Sequence, residues 1–197
     1  MLELGKFAEV FTGISIRESE QGAERFMRLS DLSDLKAGRI PTLTTGDAPG
    51  VARAQRIEEA DLIVGARGPA TDICIANDQL FGAYVSLDLY LVRPDRTRVN
   101  SQYLAAFLRL PATQAQFTSG KQGSGLARLN KGALEQTGVP LPPMHVQRLI
   151  AGLSFSFDEE DRLLKRLTDL NSTYGRETLA RAIRAADVGH DSLRSSQ

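Results

Sequence analysis

The side chains with the greatest chemical reach in this chain lie in stretches full of turn-forming residues. Thr44, Thr45, Arg53 and Arg56 fall in a long segment punctuated by Gly38, Pro41, Gly46, Pro49 and Gly50, and Arg67 stands in the turn Ala66-Arg67-Gly68-Pro69-Ala70. Lys121, Gln122 and Ser124 belong to Ser119-Gly120-Lys121-Gln122-Gly123-Ser124-Gly125, and Arg128, Asn130 and Lys131 follow directly. Hydroxyl, amide and guanidinium groups on loops are the donors and acceptors that meet base edges and phosphates. Arg67 and Arg128 suit bidentate contact with guanine, Gln122 or Asn130 suits adenine, and Lys121 and Lys131 suit phosphates. Taken singly, each of these residues reads equally well as ordinary solvated surface.

Catalytic chemistry finds no comparable constellation. His145 and His190 lack a His or Cys partner at metal-ligand spacing. The glycine-rich Gly120–Gly125 run is not followed by the Lys-Ser/Thr of a phosphate-binding loop, and it does not join a strand to a helix as a dinucleotide fingerprint does. Ser124 has no nearby base. Asp158, Glu159, Glu160 and Asp161 would fan around most of a helix, which describes a solvated face better than a metal site. The reading is a protein without a catalyst, metal site or cofactor of its own.

Composition bounds the rest. The chain has 197 residues, 42% of them hydrophobic, enough for one ordinary domain and an appendage. Its 24 basic and 24 acidic residues cancel, but unevenly along the sequence. Residues 1–92 carry 9 Lys/Arg against 14 Asp/Glu, while 93–133 carry 7 (Arg93, Arg96, Arg98, Arg109, Lys121, Arg128, Lys131) against Asp95 alone. A local basic band on a neutral protein suits specific docking on phosphates. A single cysteine, Cys74, inside Ile73-Cys74-Ile75, reads as a buried thiol. No run approaches the ~18 apolar residues of a membrane span, and the start lacks the basic-then-apolar order of a signal peptide, so the expected location is cytoplasmic.

The elements that must position these residues are an α+β set. Residues 6–30 suggest a short strand and a loop around Gly13, and 30–56 read as loop. Leu62-Ile63-Val64 and Ile73-Cys74-Ile75 read as a hairpin. From Tyr84 to Val92, Val85, Leu87, Leu89 and Leu91 alternate with Tyr84, Ser86, Asp88 and Tyr90, predicting one half-buried strand. Asn100 caps a helix with an apolar stripe at Tyr103, Leu104, Phe107 and Leu108; Pro111 ends or kinks it before a short second helix.

Val139-Pro140-Leu141-Pro142-Pro143 then separates a globular domain, 1–143, from a helix expected over 144–186 and a frayed tail over 187–197. Met144 to Ala186 in one helix is about 65 Å long at ~1.5 Å per residue. Leu149, Leu153, Leu163, Leu167, Leu170 and Tyr174 keep a 4-3-4-3 register with Ser156 and Glu160 as polar entries, a stripe that a second helix would cover. Gly152, Ser154 and Ser156, and later Ser172, Thr173 and Gly175, are places where that helix could break.

Several stretches in order resemble the specificity subunit of type I restriction–modification systems. Leu4-Gly5-Lys6-Phe7-Ala8-Glu9-Val10 with Gly13 is similar to that family's domain opening. Asp61-Leu62-Ile63-Val64-Gly65-Ala66-Arg67-Gly68 is similar to its strand and turn, Val85–Pro94 and Asn100–Phe107 to its next strand and helix, and Gly120–Leu129 to its glycine-serine element. The most specific stretch is Val139-Pro140-Leu141-Pro142-Pro143-Met144 with Gln147, Ile150, Ala151, Leu153, Phe157, Asp158 and Glu159, similar to the junction between target recognition domain and conserved helix. The resemblance implies a small β-rich target recognition domain reading half of a bipartite double-stranded DNA site. It also implies a helix forming an antiparallel coiled coil that spaces the halves. Implied partners are a DNA methyltransferase subunit, which supplies S-adenosylmethionine chemistry, and a motor-nuclease subunit.

The usual member has two recognition domains and two helices, and this chain resembles a half-subunit that pairs with a copy of itself or with another half. Two alternatives stand beside this reading. A solitary methyltransferase would need an Asn/Asp-Pro-Pro-aromatic motif, which Leu141-Pro142-Pro143-Met144 matches only at its prolines. A protein-interaction or regulatory module would keep the fold without DNA recognition.

Overall fold

The structure, a computed structural model, describes residues 1–47, 54–68, 70–122 and 127–194, with the backbone alone described at 122 and from 185 onward. Two compact units divide the chain, Met1–Phe155 and Ser156–Gln197.

The first unit is built on a four-stranded antiparallel sheet, in the order β2 (Ala8–Thr12), β9 (Leu89–Pro94), β6 (Leu62–Gly65) and β7 (Ile73–Ile75). Successive residues of a strand point to opposite faces, so a strand apolar throughout must be covered on both. β6 and β9 meet this condition. Leu62, Val64, Tyr90 and Val92 join one core with Tyr103, Leu104 and Leu108, while Ile63, Leu89 and Leu91 join the other with Met27, Leu32 and Leu80. On the first face lie the helices α2 (Ser101–Arg109) and α3 (Pro111–Ser119), and α4 (Lys131–Glu135) contributes Leu134. A second sheet, β3 (Arg17–Glu18), β5 (Thr44–Asp47), β4 (Glu24–Met27) and β8 (Tyr84–Val85), contributes to the other core and contains one parallel pair, β4 with β8. The short β1 (Leu2–Glu3) pairs with β12 (Gly138–Val139), and β10 (Lys121–Gln122) with β11 (Arg128–Leu129).

Two sequence expectations change here. The single strand over Tyr84–Val92 is in fact β8 and β9, which belong to different sheets and are joined by a turn in which the Leu89 amide donates to the Ser86 carbonyl at 2.9 Å. Leu87 sits in that turn, 45% exposed, and Tyr90 is buried with its hydroxyl donating to the Leu129 carbonyl at 2.7 Å. The alternating pattern was a coincidence of turn and core residues. The segment 30–56 also holds more than loop: it contains α1 (Asp31–Lys36) as well as β5. A helix of this length carries hardly two turns of periodicity, and what secures it is burial of Leu32 in the second core.

Gly13 permits the crossing of the two sheets. A Cβ there would lie 1.9 Å from the Ser86 carbonyl oxygen, and the neighbouring Ile14 amide donates to Val85 at 2.9 Å. Asn100 caps α2 as its sequence suggests, its side chain accepting from the Tyr103 amide at 2.9 Å, and Pro111 takes the first position of α3.

Cys74 is buried, and loss of solvation pushes its thiol up to about 11. Since the thiolate is the reactive form, an aromatic disulfide reagent at neutral pH is expected to leave the native chain unmodified and to titrate one thiol per chain in denaturant. Rapid stoichiometric reaction of the native protein would contradict this packing.

Helix α5 spans Met144–Arg194 without interruption, through both glycine- and serine-bearing places and into the stretch expected as a tail. Isolated weak helix formers cost about 1 kcal/mol or less each, which a long helix absorbs. Its first turns belong to the first unit. Gln147 is 1% exposed; its Nε2 donates to the Pro142 carbonyl at 2.8 Å and the Arg98 carbonyl at 3.2 Å, and its Oε1 accepts from the Asn100 amide at 2.8 Å. Leu149, Leu153, Leu163, Leu167, Leu170 and Tyr174 are 52–71% exposed. No helix among the described residues is long and apolar enough to cross a membrane.

Candidate nucleic-acid interface

The basic band of the sequence does not become a basic face. Arg93 holds Asp61 through Nε and Nη2 at 2.9 and 2.8 Å and Glu58 at 2.9 Å, and the Asp61 hydrogen bond raises its pKa further above the ordinary arginine value. Arg96 pairs with Glu59 at 2.9 Å. Arg98 donates to the Lys6 carbonyl at 2.7 Å, and Arg109 donates to the Ile73 carbonyl at 3.0 and 2.8 Å. The sheet register explains this: β9 lies between β2 and β6, so the basic residues at and beyond its end meet groups from the acidic first half. Opposite charges well separated in sequence are neighbours in space.

Three of the expected DNA-contacting residues do come together. Arg67 follows β6, and its backbone bridges antiparallel to that of Arg128 in β11; the Leu129 amide donates to the Ala66 carbonyl at 2.8 Å. These bonds seat the β10–β11 hairpin on the turn after β6. Gly68 takes a φ of +103°, in the region that favours glycine, and its carbonyl accepts from Lys121 Nζ at 2.7 Å. The Arg128 guanidinium lies 5.3 Å from the centroid of the Tyr90 ring, and its Nε donates to the Tyr90 hydroxyl at 3.4 Å. Arg67 Nε pairs with Asp88 Oδ1 at 2.7 Å. Partial burial lowers the Lys121 ammonium from its ordinary value, with Asp72 acting in the opposite sense. Arg67, Lys121 and Arg128 thus meet at the seated hairpin, Arg67 and Arg128 through their bridged backbones and Lys121 through its bond to Gly68.

The other candidates are distributed differently. Thr44 and Thr45 stand on β5 in the other sheet, where the Thr45 hydroxyl donates to the Ser19 carbonyl at 3.0 Å. Asn130 caps α4, accepting from the Gly132 amide at 2.7 Å, and Lys131 pairs with Glu135 at 3.4 Å. Arg53 and Ser124 lie outside the described residues, as do the side chains of Gln122 and His190. His145 is exposed on α5. Within the acidic run Glu159 is held by Arg162 at 2.5 and 2.8 Å, and that hydrogen bond lowers its pKa. Among the described residues no three His, Cys, Asp or Glu side chains gather as metal ligands.

Sequence reasoning missed Asp88, Tyr90 and Arg28. Asp88 and Tyr90 were hidden by the false alternation of the strand. Arg28 borders an open groove of about 350 Å³ lined also by Ser15, Ser30, Ser86, Leu87 and Asp88. Nothing in the sequence around Arg28 marks it, because the groove is assembled from segments far apart in the chain.

The family model described as the type I restriction modification DNA specificity domain matches residues 23–170. No curated protein matches the chain. Among solved structures, the HsdS subunit from Thermoanaerobacter tengcongensis is 21% identical, with a TM-score of 0.61 over 84% of this chain and 38% of its own. The type I restriction–modification S subunit from M. genitalium is 11% identical, with a TM-score of 0.58 over 87% of this chain and 42% of its own. A chain from work on assembly and conformational transition of the type I R-M system is 21% identical, with a TM-score of 0.62 over 84% of this chain and 39% of its own. Likeness at these identities is one of fold, and the chain spans about two-fifths of the length of the chains it matches.

Proposed function

Because the chain belongs to the family of type I restriction modification DNA specificity domains, we propose that its first unit reads one half of a bipartite double-stranded DNA site and that α5 pairs with a second helix of the same kind. The chain is the recognition part of a methyltransferase–endonuclease complex and performs no chemistry itself. A DNA methyltransferase subunit supplies S-adenosylmethionine chemistry, and a motor-nuclease subunit cuts. The observation that carries the DNA reading is the convergence of Arg67, Lys121 and Arg128 around a docked hairpin. Support for helix pairing comes from the six exposed apolar side chains in register along α5.

Alanine at Arg67, Lys121 and Arg128 together is expected to weaken duplex binding by roughly tenfold to a hundredfold at moderate salt. Each phosphate that is no longer neutralised should lower the slope of log affinity against log salt by about 0.9. Circular dichroism of each single variant guards against unfolding of the hairpin. Affinity and salt slope that match the parent in all four proteins would remove the basis for this interface.

A further inference from the structure

The groove beside the Arg67 cluster carries cancelled charge, with no surplus cation for a phosphate, and has the right groups for base edges. Its wall is formed where the β8–β9 turn crosses the end of β2, the crossing that Gly13 makes possible. Arg28 lines it, with its guanidinium paired to Glu18. Asp88 lines it too, 43% exposed at the side chain and paired with Arg67, so the groove and the hairpin cluster share one ion pair. The hydroxyls of Ser15 and Ser86 make no hydrogen bond among the described residues, and Leu87 in the same turn is a little under half exposed.

Placing a phosphate here would set it against the carboxylates of Asp88 and Glu18. Base edges carry no such penalty, since cytosine and adenine offer exocyclic amines to a carboxylate, guanine offers two acceptors to a guanidinium, hydroxyls serve either, and the thymine methyl takes an apolar contact. A guanidinium already held beside a carboxylate has less side-chain freedom to lose on binding, which favours discrimination over mere attraction.

Resting on the DNA-reading function above, we propose that this groove is the base-reading subsite, with Arg28, Arg67 and Asp88 as specificity-determining residues, while Lys121 and Arg128 hold the phosphates. Asp88 acts partly as a positioning residue for Arg67.

The test is enrichment of sequences from a random duplex library by the full chain and by its Arg28→Ala, Asp88→Asn and Lys121→Ala variants, each checked for an unchanged unfolding midpoint. Arg28→Ala and Asp88→Asn are expected to keep the parent's salt slope and to lose about tenfold to a hundredfold discrimination at one or more base positions. Lys121→Ala is expected to weaken all sequences alike and to leave the enriched sequence unchanged. Because the Arg28–Glu18 pair is exposed, Arg28→Ala keeps the test alive if Asp88→Asn unfolds. An identical enriched sequence with undiminished discrimination in Arg28→Ala and in any folded Asp88→Asn overturns the subsite while leaving DNA binding intact. A parent chain that binds duplexes but enriches no sequence overturns sequence reading itself, and the subsite with it.

Discussion

Glutamate at both Leu163 and Leu167 is expected to leave the chain monomeric at micromolar concentration, where the parent is expected to sediment as a dimer. Both side chains are exposed, 53% and 64%, so the chain loses no packing of its own when they change. In a helix pair, burying one leucine side chain contributes about 1.5–3 kcal/mol, and a symmetric pair would lose four of them. The replacement carboxylates would in addition have to be desolvated or would push the helices apart. A rise in the dissociation constant of at least roughly a thousandfold, ~4 kcal/mol, follows conservatively. The polar entries Ser156 and Glu160 lie in the same register, and a polar group in such a seam sets alignment at a cost in stability. Equilibrium sedimentation of parent and variant decides the matter. A parent that stays monomeric, or a variant as dimeric as its parent, would end the proposal of self-pairing through α5.

Asp61→Ala is expected to lower the unfolding free energy by about 3–5 kcal/mol, a large share of the ~5–15 kcal/mol that holds a domain of this kind. Asp61 is 1% exposed; it accepts from the Glu58 amide at 2.8 Å and receives two donors from Arg93, which also donates to the Arg56 carbonyl at 2.9 Å. Removing the carboxylate takes two acceptors from a guanidinium that is three-quarters buried, leaving it only the exposed Glu58 and the Arg56 carbonyl, and leaves the Glu58 amide unpaired. The loss is less about the worth of the pair than about the cost of the partner left behind. The double variant Asp61→Leu with Arg93→Met should therefore recover much of the stability lost in the single one. Denaturant midpoints of the three proteins measure this. A single variant within about 1 kcal/mol of the parent would show that Arg93 finds another anion or water, and the account of this pair would be mistaken.

The same pair illustrates what can be read from a linear sequence. Counting charges along the chain isolates Arg93, Arg96 and Arg98 as part of a basic band, yet all three are consumed by the fold. Local charge in sequence predicts a surface only when the chain does not return to that surface with the opposite sign, and here β9 lies between two strands from the acidic first half.

Local signals survived where the cause of structure is itself local. The Asn100 cap, the proline at the head of α3, the hairpin of β6 and β7 and the heptad stripe of α5 depend on a side chain meeting its own or a neighbouring turn, or on a simple period. The stretch from Tyr84 to Val92 failed for the complementary reason. A strand buried on both faces carries no polar alternation, and a turn placed just before it can imitate one.

By itself, then, the sequence determined the helical rod with its uncovered apolar register, the elements on either side of the proline junction, the inventory of polar loop residues and the family to which their order is similar. Tertiary structure alone decided which of those polar residues lie together. It set Asn130 at a helix cap and Lys131 beside Glu135, gathered Arg67, Lys121 and Arg128 around one hairpin, and made a groove from Arg28, Ser86 and Asp88. The physical reason is that capping and periodicity are set within a few residues, whereas the neighbourhood of a charge is set by which strands pair.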